Sequence, residues 1–163
     1  LGQFLASMTT FNSKFDQAAW QDFENFNPLE LDGKEVFRTS NCQSCHSEPL
    51  FSARWDRVTN IGLEMDYEDK GTGHGRFKVP SLRNIELTAP YMHDGRFETL
   101  EEVLDHYNNG IHPHPVLDWR LRGPDGGPVQ FNWSDYEKKA LIAFLKTLTD
   151  EEFIRDERFS DPF

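Results

Sequence analysis

The sequence predicts an all-α domain whose helices are separated by long loops. Two observations support this fold class. First, Thr99 with Glu102 and Ser134 with Glu137 match the capping-box pattern that begins many helices, and each pair precedes apolar residues at helical spacing. Second, no stretch shows the sustained alternation of apolar and polar residues that is typical of a half-buried strand.

The composition fits one domain with at most a short appendage. The chain has 163 residues, of which 37% are hydrophobic, so its core must draw on 14 Phe and 4 Trp. Acidic residues dominate and give a formal net charge of -11. This charge disfavours nucleic acid and anionic lipid, and it favours a basic protein partner. No apolar run approaches the roughly 20 residues of a membrane span.

The amino-terminal region predicts one short helix and then a linker. Leu1, Leu5 and Met8, with Phe4 beside them, fit one face of a helix that fades near "TTFNSKFD". The stretch "WQDFENFNPLELDG" has no clear period and predicts a linker. Asp32 is then expected to cap a short helix through "GKEVFRTS". The opening "LGQFLASM" lacks the features of a signal peptide, so we expect a processed chain or a fragment.

The stretch from Glu48 to Pro80 predicts an ordered loop. It is rich in Gly, Asp and Arg and has no sustained period. Order is expected because apolar residues occur throughout it. These residues are Phe51, Trp55, Ile61, Leu63 and Phe77.

Two helices are expected in the second half of the chain. The helix after Thr99 should end at "NNG". Its apolar stripe consists of Leu100, Val103, Leu104 and Tyr107. A loop containing "HPHP" and "GPDGG" leads to the helix after Ser134. The apolar stripe of this second helix consists of Leu141, Phe144, Leu145 and Leu148. Thr149 and Glu152 are expected to open a last short turn.

The motif that carries chemistry is "CQSCH". Cys42 and Cys45 are the only cysteines, and His46 follows the second directly. This is the spacing of covalent c-type haem attachment. Two thiols at this spacing can add to the two vinyl groups of one porphyrin, and the next imidazole can bind the iron. His46 is expected to donate its other ring N–H to a backbone carbonyl. The sequence therefore predicts one covalent haem c in an extracytoplasmic compartment.

Three alternative roles fit the motif less well than haem attachment. A zinc site needs about four protein ligands, and the chain has no second cysteine pair. A redox-active dithiol would be expected within an alternating strand–helix pattern, which is absent here. A disulfide between residues so close would close a tiny loop and stabilise little.

The sixth ligand of the iron is open on spacing alone. Met92 offers a thioether that raises the haem potential, but most methionines are core residues. Tyr107 lies on the inward face of its helix, where a buried aromatic hydrogen-bonded to backbone is the alternative. The remaining candidates are His74, His93, His106, His112 and His114.

Most of these histidines have a simpler expected role. His112 and His114 alternate with prolines and are expected to be solvated turn residues. His106 lies off the apolar stripe beside acidic residues, so a surface imidazole is expected. His74 lies in the flexible "GTGHG", which leaves its role open.

Two longer stretches resemble a known family. "GRFKVPSLRNIELTAPYMHDGRFETLEEVLDHYNNG" resembles the diagnostic stretch of the bacterial di-haem cytochrome c peroxidase and MauG superfamily, and "KKALIAFLKTLTDEEF" resembles its closing helix. The resemblance implies a cytochrome c-like helical domain with long loops around one covalent haem. Members of the family have two haem domains, and this chain resembles the carboxy-terminal one. Residues 1–16 would then be the terminal helix of the preceding, absent domain with its linker, and residues 17–163 the haem domain.

The resemblance also implies roles for individual residues. Counting from His93 to the family's ligating position leads to Tyr107, and MauG-type members carry a tyrosine there. A phenolate stabilises ferric iron and lowers the potential relative to methionine. Thr88 and Pro90 match positions whose backbone carbonyls bind calcium between the domains. Arg83 is expected to pair with a haem propionate, with a surface ion pair as the alternative.

The function implied is electron transfer within a periplasmic di-haem peroxidase or MauG-like protein. The chain would receive electrons from a small redox protein and pass them to a peroxide-reacting haem in the amino-terminal domain. The residues that cleave peroxide belong to that absent domain, so this chain alone is not expected to be catalytic towards peroxide. The alternative is a stand-alone monohaem cytochrome that only carries electrons.

Overall fold

The computed structural model describes residues 2–54 and 56–160. The chain is helix-rich, and its described part contains one small sheet. The helices are α1 (Gly2–Ser7), α2 (Lys14–Ala19), α3 (Pro28–Thr39), α4 (Leu100–Asp105), α5 (Asp135–Lys146) and α6 (Glu151–Ile154). The strands are β1 (Val58–Thr59) and β2 (Phe77–Lys78).

The packing of α3 against α5 forms the centre of the domain. Gly33 lies where the two helices approach most closely, because a Cβ atom at this position would be 1.9 Å from the carbonyl oxygen of Ala140. Around this contact aromatic rings fill the core. Phe51 and Phe144 are fully buried, and their ring centroids are 6.1 Å apart. The core therefore does draw on phenylalanine, as the composition predicts.

The predicted capping boxes at Thr99 and Ser134 are confirmed. Thr99 accepts a hydrogen bond from the backbone N–H of Glu102, and Ser134 accepts one from that of Glu137. The stripe of α5 is also confirmed, since Leu141 and its predicted neighbours are buried. The amphipathic spacing thus positions α4 and α5 correctly.

Three predictions about where helices begin are wrong. Helix α3 begins at Pro28 rather than after Asp32, because Asn27 caps the backbone N–H of Glu30 at 3.0 Å. Helix α2 is not predicted at all and begins at Lys14, where the first helix is expected to fade, because Ser13 accepts the backbone N–H of Asp16 at 3.3 Å. The last turn begins after Asp150 rather than Thr149, because the Asp150 carboxylate accepts the N–H of Phe153 at 3.0 Å. In each case a better side-chain acceptor fixes the first turn.

The long loop is ordered, as predicted, but it contains the small sheet. Strands β1 and β2 pair antiparallel, with Val58 opposite Lys78 and Thr59 opposite Phe77. Phe51 and Leu63 are buried, whereas Trp55 lies outside the described residues. The strictly all-α expectation is therefore corrected to a helix-rich fold with a two-stranded sheet.

Helix α1 has no buried residue, a property that it shares only with the short α6 among the described α-helices. Phe4 and Leu5 are 49% and 58% exposed, and Met8 beyond the helix is 39% exposed. Leu1 lies outside the described residues. Among residues 2–54 and 56–160, no helix has the length and apolar character that a membrane crossing requires.

The approach of α3 to α5 can be tested with Gly33→Ala. The added methyl group would overlap the Ala140 backbone and the Phe144 Cβ atom, so we expect the free energy of unfolding to fall by about 3 kcal/mol. Urea denaturation measures this loss. Gly2→Ala is the control, because nothing lies within 4 Å of a Cβ atom there. Equal stability of the two variants would contradict the packing described.

Candidate haem-binding site

The cysteine motif forms a tight turn directly after α3. Asn41 adopts a left-handed conformation with φ of 61°, which ends the helix and starts the 3-10 turn Cys42–Ser44. The carbonyl of Cys42 accepts hydrogen bonds from the N–H groups of Cys45 and His46, at 3.2 and 3.0 Å. Both thiols are free and half-buried. Burial raises the pKa of the Cys42 thiol to about 12.

The imidazole of His46 is fixed by backbone carbonyls. Its Nδ1 atom lies 3.2 Å from the carbonyl oxygen of Phe51 and 3.2 Å from that of Pro80. The predicted hydrogen bond to a backbone carbonyl is thus confirmed. Because Nδ1 donates, Nε2 keeps its lone pair, which is the form that binds a metal. Burial lowers the pKa of His46 and favours this neutral form, although the two carbonyls oppose the shift.

Two arginines hold the motif turn in place through hydrogen bonds. No sequence pattern predicts either of them. Arg120 and Arg57 each donate through Nη1 to the carbonyl of Ser44, at 3.0 and 3.3 Å. Arg120 is itself held by Asp118, with its Nε atom 2.7 Å from Oδ1. Burial raises the pKa of Cys45, whereas the charge of Arg120 opposes that rise. Nothing local in the sequence marks this contact.

Tyr107 lies in a π-helical turn, His106–Gly110, that continues α4. This turn ends the helix at the predicted "NNG". Tyr107 and Cys42 both pack against the main hydrophobic core. Burial raises the pKa of the Tyr107 phenol, and the charges of Cys45 and Cys42 add to the rise. The hydroxyl has no hydrogen-bond partner among the described residues.

These groups fit a covalent haem. The turn presents two free thiols, and the His46 imidazole has a fixed tautomer. Tyr107, whose hydroxyl has no hydrogen-bond partner in the described part of the chain, packs against the same hydrophobic core as Cys42. A porphyrin supplies four nitrogen ligands, so the protein needs to add only axial ones. Within the described ranges, no three His, Cys, Asp or Glu side chains are grouped to hold a metal ion by themselves. The zinc alternative therefore has no ligand set in this part of the chain.

Met92 remains the alternative axial ligand. It is half-buried and adopts a left-handed conformation with φ of 74° in the turn after Pro90. Its neighbour His93 stacks on Phe77, with the ring centroids 3.8 Å apart. This stacking accounts for His93 without a metal.

One histidine differs from its expected place. His106 is only 6% exposed, and its Nε2 atom lies 3.1 Å from the carbonyl oxygen of Ile61. The expectation of a surface imidazole is wrong, because the 60–63 loop covers it. His74 and His112 are exposed. His114 is half-buried and accepts the N–H of Val116 through Nδ1 at 3.2 Å.

Arg83 forms an ion pair with Asp16, and the two side chains are only 4% and 14% exposed, so this pair differs from the surface ion pair that is the alternative to a propionate. Its Nη1 and Nη2 atoms lie 2.8 and 2.7 Å from the two carboxylate oxygens. Nε and Nη2 also donate to the carbonyl of Pro49, at 3.1 and 2.7 Å. Four of the five guanidinium hydrogens are thereby engaged within the protein. Only the second Nη1 hydrogen is left to bond a haem propionate. The pairing of Arg83 with a propionate therefore stays a prediction.

Thr88 and Pro90 are exposed and follow the 3-10 turn Ile85–Leu87. Among the described residues, no N–H group donates a hydrogen bond to either of their carbonyls. Calcium at this position stays a prediction.

Comparisons with known proteins connect this site to a family. Cytochrome c551 peroxidase of Nitrosomonas europaea is 32% identical over 93% of this chain, and MauG of Paracoccus denitrificans is 33% identical over 93%. This chain is a homologue of the cytochrome c peroxidase and MauG proteins. The resemblance seen in the sequence is thereby confirmed. The chain spans 43% and 50% of these two relatives, about half their length. No family model matches the chain.

Solved structures of this superfamily share the fold. A MauG-like protein associated with microbial copper homeostasis has a TM-score of 0.72 and 33% identity, covering 94% of this chain and 56% of its own. The diheme peroxidase BthA from Burkholderia thailandensis has a TM-score of 0.67 over 88% of this chain and 48% of its own. At 22% identity, BthA supports the fold alone.

The buried pair of Asp16 and Arg83 makes stability depend on pH. Burial opposes ionisation of Asp16, but hydrogen bonds from Arg83 and Ser13 outweigh it and hold the pKa of the carboxyl below its usual range. The ionised pair therefore stabilises the fold above about pH 4, and this contribution is lost as the pH falls through the folded pKa. We expect Asp16→Asn to cost about 3 kcal/mol at pH 7, because the Arg83 charge stays buried and unpaired.

Urea denaturation at several pH values tests this expectation. The difference in the free energy of unfolding between wild type and Asp16→Asn should become smaller below pH 4, which is about the pKa of a free aspartate. Asp56→Asn is the control, since its exposed pair with Arg54 should contribute no measurable stability. A difference that stays constant down to low pH would show that folding does not lower the pKa of Asp16.

Proposed function

We propose that this chain is the carboxy-terminal c-type haem electron-transfer domain of a periplasmic di-haem cytochrome c peroxidase or MauG-like protein. Cys42 and Cys45 would hold the haem covalently, and His46 and Tyr107 would ligate its iron. The observation that supports this most is the imidazole of His46, which two carbonyls fix with Nε2 free beside two free thiols.

Each residue has a definite task in this proposal. The haem, when bound, supplies a one-electron couple between ferrous and ferric iron. His46 donates the Nε2 lone pair, and its Nδ1–H bond to backbone makes the ring a more basic ligand. Tyr107 offers the oxygen of a phenol that has no other partner in the described structure. Arg57 and Arg120 keep the motif turn in place through Ser44.

Two protein ligands leave the haem of this domain without a position for peroxide. A domain of this kind carries electrons rather than breaking the O–O bond. The chain spans about half of its curated relatives, so the remaining half of a longer protein would hold the peroxide-reacting haem. The amino-terminal haem domain is therefore the proposed partner within the same protein.

The apolar face of α1 supports this partner. Helix α1 buries none of its own residues, and Phe4 and Leu5 lie exposed. We assign the amino-terminal segment to the preceding domain. The predicted boundary at residue 17 needs adjustment, because Phe15 is buried in this core and Asp16 pairs with Arg83. The boundary is better placed before Thr10, because Thr10 and Asn12 both donate to the carboxylate of Asp150 and Ser13 is buried.

The other proposed features concern the surroundings of the domain. Covalent haem attachment places the chain in the periplasm or another extracytoplasmic compartment. A small redox protein supplies the electrons, and the net charge of -11 favours a basic donor. The carbonyls of the exposed residues Thr88 and Pro90 contribute to a calcium site that the preceding domain completes.

The axial ligand can be identified by replacing each candidate in the haem-loaded chain. We expect Tyr107→Phe to change the ferric absorption and electron spin resonance spectra, because the iron loses its phenolate ligand. Met92→Leu should leave both spectra unaltered. Tyr136→Phe is the tyrosine control, since its hydroxyl is exposed and donates to Asp32. An altered coordination state in Met92→Leu but not in Tyr107→Phe would assign the ligand to Met92.

A further inference from the structure

His106 is a buried polar residue that the proposed function does not yet use. It is only 6% exposed, and its Nε2 atom lies 3.1 Å from the carbonyl oxygen of Ile61. The Nδ1 atom faces Gly110, where a Cβ atom would be 3.6 Å away. Burying an imidazole costs free energy unless its ring nitrogens find partners, and an apolar side chain would fill the same space at no such cost. The contact with Ile61 therefore has a role beyond packing.

The location of His106 in the helix suggests that role. It is the first residue of the π-helical turn His106–Gly110, and Tyr107 is the second. A π-helical turn is rare, and it changes the direction in which the following side chains leave the helix axis. Such a turn needs contacts from outside the helix to hold it. The direction of the Tyr107 side chain thus depends on what holds this turn.

Contacts on both sides of Tyr107 hold the turn. On one side His106 is bonded to Ile61, and its ring lies edge-on to the Tyr107 ring, with centroids 5.2 Å apart and an interplanar angle of 65°. On the other side Asn108 accepts the N–H of Trp133 at 2.6 Å and donates to its carbonyl at 3.3 Å. Tyr107 therefore lies between two residues that are tied to different loops.

We propose that His106 is a positioning residue that aims the Tyr107 phenol at the haem iron. It does so by tying the π-helical turn to the carbonyl of Ile61 and by bracing the Tyr107 ring with its own. This inference rests on the proposed ligation by Tyr107. Without the hydrogen bond to Ile61 the turn would relax, and Tyr107 would be a poorer ligand for the iron.

The substitution His106→Phe in the haem-loaded chain tests the role of the hydrogen bond from His106 to Ile61. Phenylalanine keeps an aromatic ring beside Tyr107 but cannot donate to Ile61. We expect most of the tyrosinate signature to be lost from the ferric absorption and spin resonance spectra, with haem content unchanged. The reduction potential should shift upwards, towards that of Tyr107→Phe. His106→Gln should restore the wild-type spectrum, since its amide can donate from a similar position. His112→Phe is the matched control, because His112 is exposed in the following loop.

A second variant covers the case in which His106→Phe does not fold. His106→Asn stays polar, but its shorter amide does not reach the Ile61 carbonyl, so it should lose the same signature. If either variant loads haem and keeps the wild-type spectrum and potential while Tyr107→Phe changes both, His106 has no positioning role. If Tyr107→Phe itself leaves the spectrum unaltered, the ligation by Tyr107 is wrong. These two failures are therefore distinguishable.

Discussion

The hydrogen bonding of the His46 imidazole is the interaction on which the rest of the structure depends. The carbonyl of Phe51 accepts from both His46 and the N–H of Leu82, so one buried backbone group joins the motif to both ends of the long loop. Pro80 approaches the same ring nitrogen from the far end of that loop. These hydrogen bonds hold the long loop, whose sequence shows no sustained period, in one conformation. Fixing the ring also leaves one nitrogen free for a metal.

A second set of contacts joins this proximal side to Tyr107. Trp133 donates through its indole N–H to Ser40 at 2.8 Å, immediately before the motif turn. The backbone of the same residue is bonded to Asn108, immediately after Tyr107. One aromatic residue therefore connects the segments that carry the two proposed axial ligands. The distance between those ligands is determined by the fold and not by either segment alone.

The sequence predicts the parts of this arrangement that depend on local pattern. The capping boxes and apolar stripes of α4 and α5 are local, and so is the motif that identifies the attachment residues. The start of α3 also has a local signal, since Asn27, Pro28 and Glu30 form a capping box with proline in the first turn. That signal is stronger than the one at Asp32, because it combines two reciprocal hydrogen bonds with a proline that needs no N–H partner.

The features that the sequence does not predict depend on contacts between distant residues. His106 lies beside acidic neighbours in the sequence, and its burial requires the loop at Ile61, 45 residues away. Arg120 reaches the motif turn from 76 residues away. Arg83 forms its ion pair with Asp16 across 67 residues of sequence. No pattern within a window of the chain contains these pairings.

Covalent attachment of haem is the most direct measurement of the proposed chemistry. The chain is produced in a host that matures c-type cytochromes, denatured, and extracted with acidic solvent. We expect the Soret absorption and haem mass to stay with the polypeptide, and to be lost when Cys42 and Cys45 are both replaced by alanine. A folded, matured chain that is colourless, or whose pigment is removed by the solvent while both thiols remain free, would contradict the assignment of the site.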